Sequence, residues 1–128
     1  MVQKARTYLA PGKDKNIMLL VGEALHLPFE DESLDAVFGF GFLHHVVNWR
    51  GALSEIARVL RTGGVYFLEE LYPACYQNFL TRHILVHPEE DRFRSHDLRK
   101  DLEEMNIPIR KALEHPYLGI LAVAVKLD

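Results

Sequence analysis

A chain of 128 residues, 48% hydrophobic and 26% charged, is long enough to bury a core and of a size for one domain, taken as residues 1–128. Its formal charge of −3 makes no case for nucleic acid, no apolar run reaches membrane-spanning length, and the N-terminus lacks a signal-like core. One cysteine, Cys75, excludes an internal disulfide framework and suits a reducing cytoplasm, the expected location.

Val2, Ala5 and Leu9 stand at helical spacing before Pro11-Gly12, which predicts a first helix and its stop. "NIMLLVG", residues 16–22, is apolar on both faces, as in a buried parallel strand. "HLPFEDES" breaks the pattern and reads as a loop, and "LDAVFGFGFL", residues 34–43, is a second buried-type strand. Trp49, Leu53, Ile56, Ala57 and Leu60 form the apolar stripe of a helix, with Asn48 as N-cap and Gly63-Gly64 marking its end. "VYFLEEL" is a third strand, and Pro73 to about Val86 has a less cleanly patterned helix. Ser95 is the expected N-cap of a helix carrying Leu98, Leu102 and Met105 inward, closed by Asn106 in the left-handed conformation. The basic residues Arg92, Arg94, Arg99 and Lys100 are interrupted by Asp91, Asp97 and Asp101 and read as a solvated helix surface. Strands near Ile109–Glu114 and Leu118–Lys126, joined by His115-Pro116-Tyr117, are spaced for antiparallel pairing. The alternation predicts an α/β fold with a mostly parallel sheet finished by a C-terminal antiparallel hairpin.

"GFGFLHHV", residues 39–46, carries the residues of greatest chemical interest. A dinucleotide-type glycine turn needs a third glycine at position 44, where His44 stands, so a phosphate cradle is not expected. Close packing at the end of a buried strand accounts for the glycines more simply. His44 and His45 are adjacent and point to opposite sides of an extended segment, which does not chelate one ion well. His83 and His87 have the better i, i+4 spacing, but no third ligand is marked, and no metal is expected. Cys75 reads as a small buried hydrophobe.

Taken in register, "VGEALHLPFEDESLDAVFGFGFLHHV", "ALSEIARVLRTGGVYFLEE" and "DLRKDLEEMNI" resemble the class I S-adenosylmethionine-dependent methyltransferases. The resemblance is to their small-molecule branch, with its Leu-Pro-Phe-x-Asp-x-Ser-hydrophobic-Asp signature. It implies a three-layer Rossmann-like fold, S-adenosylmethionine as cofactor and a small-molecule methyl acceptor. Glu23 matches a position that often carries Asp and bonds the adenine amino group, while Ala24 would offer its backbone amide to the ring. Gly39 and Phe40 match positions lining the methionine arm. Phe38, Phe40 and Phe42 alternate, and the reading sets Phe40 opposite its two neighbours, with an aromatic face that would favour a sulfonium. Core packing is the alternative for all three. His44 and His45 are the candidate catalytic residues, should a base be used, and Glu69, Glu70 and Tyr72 are expected on the substrate side.

The family's Gly-rich turn and its acidic strand end precede the helix that "MVQKARTYLA" resembles, so the fold is expected to be N-terminally incomplete. Two family strands would stand between residues 16–22 and residues 34–43. Without them, either these two segments pair directly or a second chain covers the edge, which predicts a closed-up sheet or a homo-oligomer. The alternative function is a non-catalytic, methyltransferase-like dimerisation or interaction module.

Overall fold

The computed structural model describes residues 16–76 and 92–128. The expected helix over Val2–Leu9, the continuation of the Pro73 helix and the His83/His87 pair lie outside these residues. In chain order the elements are β1 (Leu34–Phe40), a 3-10 turn (Leu43–His45), α1 (Trp49–Val59), β2 (Leu60–Leu71), α2 (Pro73–Tyr76), α3 (Ser95–Glu104), β3 (Ile109–His115) and β4 (Gly119–Val125).

α1 forms as its pattern requires. Trp49, Ala52, Leu53, Ile56 and Val59 bury one stripe, and the Asn48 side chain accepts the Gly51 amide at 2.9 Å. The Lys126 ammonium caps the other end, donating to the carbonyls of Ala57 and Leu60, where a cation also complements the helix dipole. Gly63 and Gly64 do not end this helix. The chain passes from Val59 into β2 at Leu60, and the glycines occupy an irregular stretch of β2, where Gly63 has φ +76. α3 begins one residue before its expected cap could act: Ser95 is already helical and Arg94 is the N-cap. Asp97 supplies the capping bond by accepting the Arg94 amide at 3.0 Å. Leu98 and Leu102 are buried, and Asn106 has φ 59, as expected for the helix end.

The sheet order is β1-β2-β4-β3. β1 and β2 are parallel, whereas β2–β4 and β3–β4 are antiparallel, so the described sheet is mixed and not mostly parallel. The shortfall comes from residues 16–22, which form no strand. They do not pair with β1, and Met18 and Val21 are 78% and 85% exposed. An apolar run becomes a strand only when another strand satisfies its backbone, and here only an isolated bridge between Glu23 and His26 forms.

One face of the sheet carries the core. Tyr66 and Leu68 of β2 and Ile120, Ala122 and Ala124 of β4 lie in register beneath Trp49, Leu53, Leu98 and Leu102. Among the described residues the helices α1 and α3 thus cover this face alone. The opposite face presents Phe38, Phe40, Leu113 and Leu121, with Phe38 stacked on Phe67 at 4.7 Å between ring centroids. Phe38 and Phe40 therefore share a face, their rings 6.1 Å apart, contrary to the expected opposition. Side chains two residues apart on a strand point the same way. Phe42 lies beyond the end of β1 and turns onto the core side instead.

Candidate functional site

The carboxyl ends of the parallel strands β1 and β2 define the edge where α/β folds place their ligands. At this edge β1 stops at Phe40, and Gly41 takes φ +59 while its amide continues the ladder to the Glu69 carbonyl at 2.7 Å. That backbone conformation favours glycine. It turns the chain so that Phe42, Leu43 and His44 aim their amides inward at one carboxylate.

The carboxylate belongs to Glu70 and is fully buried. Its Oε1 accepts the amides of Phe42 at 3.1 Å and Leu43 at 2.8 Å. Its Oε2 accepts the His44 amide at 3.3 Å and lies 2.7 Å from His44 Nδ1. A buried carboxylate is tolerable only where donors replace its water, and here four converge. From the other side Arg92 Nη1 donates to the His44 carbonyl at 2.5 Å. Arg92 thus braces the turn and precedes α3, instead of lying on a solvated helix surface. His44 is buried, whereas His45 is exposed, with the two rings 4.2 Å apart.

Glu69, Glu70 and Tyr72 do not share the substrate side. Strand alternation sends Glu70 and Tyr72 to the core face and Glu69 to the other. Tyr72 donates its hydroxyl to Glu114 at 2.5 Å, and burial together with that bond pushes the phenol up to about 12. Burial alone would raise the Glu114 carboxyl. The hydrogen bonds from Ser95, Tyr72 and Arg99 outweigh it and hold the group below its ordinary range. A cavity of about 680 Å³ opens beside this cluster, lined by Tyr72, Pro73, Arg94, Ser95, Pro116 and Tyr117.

Gly39 is buried on the core face, where an added Cβ would lie 2.6 Å from the Phe42 ring and 2.8 Å from the Tyr66 hydroxyl. Glycine at this position admits those two side chains. The Tyr66 hydroxyl is itself buried without a hydrogen-bond partner, and burial first, then the nearby Glu70, raises its pKa. Phe40 lies on the open face at 57% exposure.

Glu23 and Ala24 form a short turn in which the His26 amide donates to the Glu23 carbonyl at 3.0 Å. Two side chains from α1, unmarked in the sequence, fasten the residues just after it. Glu55 accepts the Leu27 amide at 2.8 Å, while Arg58 donates to the carbonyls of Leu27 and Phe29 and to the carboxylates of Glu55 and Asp31. The Arg58 bond and the Leu27 amide hold the Glu55 carboxyl down at about 2, and the same pairing raises Arg58. Ala24 and Leu27 are thereby brought against Val37, Phe38, Phe42, Ala52 and Ile56 around an apolar cavity of about 190 Å³. Ala24 and the end of β1 meet there, Glu23 is exposed, and Gly39 and Phe40 point to opposite faces.

Residues 1–68 match the family model described as "Methyltransferase domain". The chain belongs to this methyltransferase family. A demethylmenaquinone methyltransferase of Corynebacterium glutamicum is 35% identical over 81 residues, covering 58% of this chain and 35% of that protein. A demethylmenaquinone methyltransferase of a Mycobacterium species is 46% identical over 57 residues, covering 44% of this chain and 24% of that protein. The chain spans about a third of the length of the first of these relatives. Among solved structures, a SAM-dependent methyltransferase from Methanosarcina mazei superposes with TM-score 0.72 at 21% identity, covering 98% of this chain and 77% of that one. The geranyl diphosphate C-methyltransferase of Streptomyces coelicolor gives 0.74 at 14% identity, with coverage of 98% and 57%. These likenesses show the methyltransferase α/β fold.

The methyltransferase cofactor can be tested against the residues present. The cavity at Ala24, Leu27 and Phe42 suits a flat, largely apolar ring. The described residues therefore fit the adenine end of S-adenosylmethionine. Among them no three His, Cys, Asp or Glu side chains gather as a metal site, and no helix is long and apolar enough to cross a membrane.

Proposed function

We propose that the protein is an S-adenosylmethionine-dependent methyltransferase acting on a small-molecule acceptor at the carboxyl edge of its sheet. The observation that carries this reading is the joint apolar cavity of the Ala24 turn, the end of β1 and α1, in a chain of this family. When bound, the cofactor supplies an electrophilic methyl group on a sulfonium.

The chain's own residues bind and orient. The Glu23 carboxylate would accept from the adenine amino group, and the Ala24 amide would donate to the ring. By the family resemblance Gly39 and Phe40 would line the methionine arm, Gly39 from the core face and the exposed Phe40 ring from the other. The cavity by Tyr72, Arg94 and Tyr117, at the same edge, is the place for the acceptor. Exposed His45 and buried His44 are the candidate proton acceptors, and imidazole suits that work near neutral pH. Most of the acceleration would come from positioning, which is worth several kcal/mol.

Calorimetric titration with S-adenosylmethionine and S-adenosylhomocysteine tests the reading. Saturable heat that is lost in Ala24→Trp supports it, and no heat at millimolar ligand contradicts it.

One observation favours a second reading, a non-catalytic module that assembles with a second copy. Among the described residues β1 is an edge strand, and Phe38 and Leu113 on the open face are 64% and 75% exposed. Sedimentation decides this: a concentration-independent monomer rules it out, and a stable dimer without cofactor binding favours it over the first.

A further inference from the structure

The geometry points to Glu70 as the positioning residue of this site, fixing the turn after β1 and the tautomer of His44. The proposal rests on the methyltransferase reading for its use, but not for its geometry. The amide, Nδ1 and carbonyl of His44 are all engaged. Its amide and Nδ1 meet Glu70, and its carbonyl accepts from Arg92. The amides of Phe42 and Leu43 close on the same carboxylate.

A carboxylate only accepts hydrogen bonds, so the group 2.7 Å from Oε2 must donate. His44 Nδ1 therefore carries a proton, and in the neutral ring the lone pair is on Nε2. The adjacent histidines acquire unlike roles. His44, buried and tethered, is part of the scaffold of the turn. His45 is exposed, with its ring 4.2 Å from that of His44. Glu70 acts on the site through the turn and touches no reacting atom.

An alternative account, in which Glu70 merely fills a buried space, makes no demand on the tautomer. The two accounts separate under Glu70→Gln. The amide has one accepting oxygen and two N–H donors. Its oxygen can keep Phe42 and Leu43, but its nitrogen then faces Nδ1 and donates, which moves the ring proton to Nε2.

Long-range proton–nitrogen NMR on the labelled full chain at neutral pH reads this directly. The expected result is a protonated Nδ1 on His44 in the wild type and a protonated Nε2 in E70Q, with His45 remaining exposed to solvent. A wild-type His44 with its lone pair on Nδ1, or an unchanged tautomer in E70Q, overturns the proposal. Should E70Q fail to fold, His44→Asn and His44→Gln serve instead. The Asn amide can donate from about the place of Nδ1 and should retain the protection of the Phe42 and Leu43 amides, which Gln should lose by tenfold or more. Equal protection in the two overturns the proposal. Titration with S-adenosylhomocysteine adds a separate arm. Binding that weakens at least tenfold in E70Q supports positioning, and unchanged binding contradicts it. Absence of binding to the wild type counts against the methyltransferase reading, while the tautomer still decides the role of Glu70.

Discussion

Two turns meet at the apolar cavity, and each is fastened by a carboxylate of a different kind. The turn at residues 23–31 is held by Glu55, which has an arginine partner and lies near the surface on α1. The turn at residues 41–45 is held by Glu70, which is fully buried and balanced by N–H groups alone. The first hold is an ion pair that water can partly replace, so its loss should be local. The second has no substitute, since removing it strands buried donors. One cavity is thus built between a releasable wall and a fixed one.

The largest effect expected comes from this contrast. Glu70→Ala should destabilise the fold by about 4 kcal/mol, because it leaves three amides and an imidazole N–H buried without acceptors. Chemical denaturation reads it, and a loss under 1 kcal/mol would erase the distinction between the two walls. Gly119→Ala should come next, at about 3 kcal/mol, since its Cβ would collide with the Glu70 carbonyl where β4 passes β2. Gly39→Ala should cost about 1–2 kcal/mol, because the Phe42 ring and Tyr66 hydroxyl it meets can shift, and it should shrink the cavity.

Acid should open the other wall selectively. Glu55 has its carboxyl held near 2, below the ordinary range. The stability it lends is complete above the unfolded value and is lost as pH falls through about 2. Exchange of the Leu27 amide should therefore accelerate between about pH 4 and pH 2 while the Leu43 amide stays protected. Simultaneous loss of both would merge the two turns into one unit. The smallest effect should be that of Tyr66→Phe, within about 0.5 kcal/mol of neutral or stabilising, because the hydroxyl it removes has no partner.

The contrast also explains what could be read from the sequence. α1 and the β3–β4 hairpin were legible because periodicity, an Asn cap and a short turn are local signals. Residues 16–22 misled because an apolar run says that burial is wanted, not that a neighbouring strand is present to provide it. Asn106 announced the end of α3, but its start depended on Asp97 reaching back, which made Arg94 the cap and not Ser95. In the site, Glu23, Ala24, Gly39, Phe40 and the two histidines were marked by resemblance. Their supports were not, since Glu55 and Arg58 act on residues about 30 positions away and look like an ordinary helix surface pair. Glu70 was within reach. It shares strand parity with Tyr66 and Leu68, and that parity alone points it into the core.

Whether the two walls enclose a cofactor is settled most directly by amide chemical-shift mapping with S-adenosylhomocysteine on the full chain. The account predicts saturable shifts at Ala24, Leu27, Gly41 and Phe42, with Leu113 and Val123 on the open face unmoved. Shifts confined to the open face, or none at millimolar ligand, would contradict it.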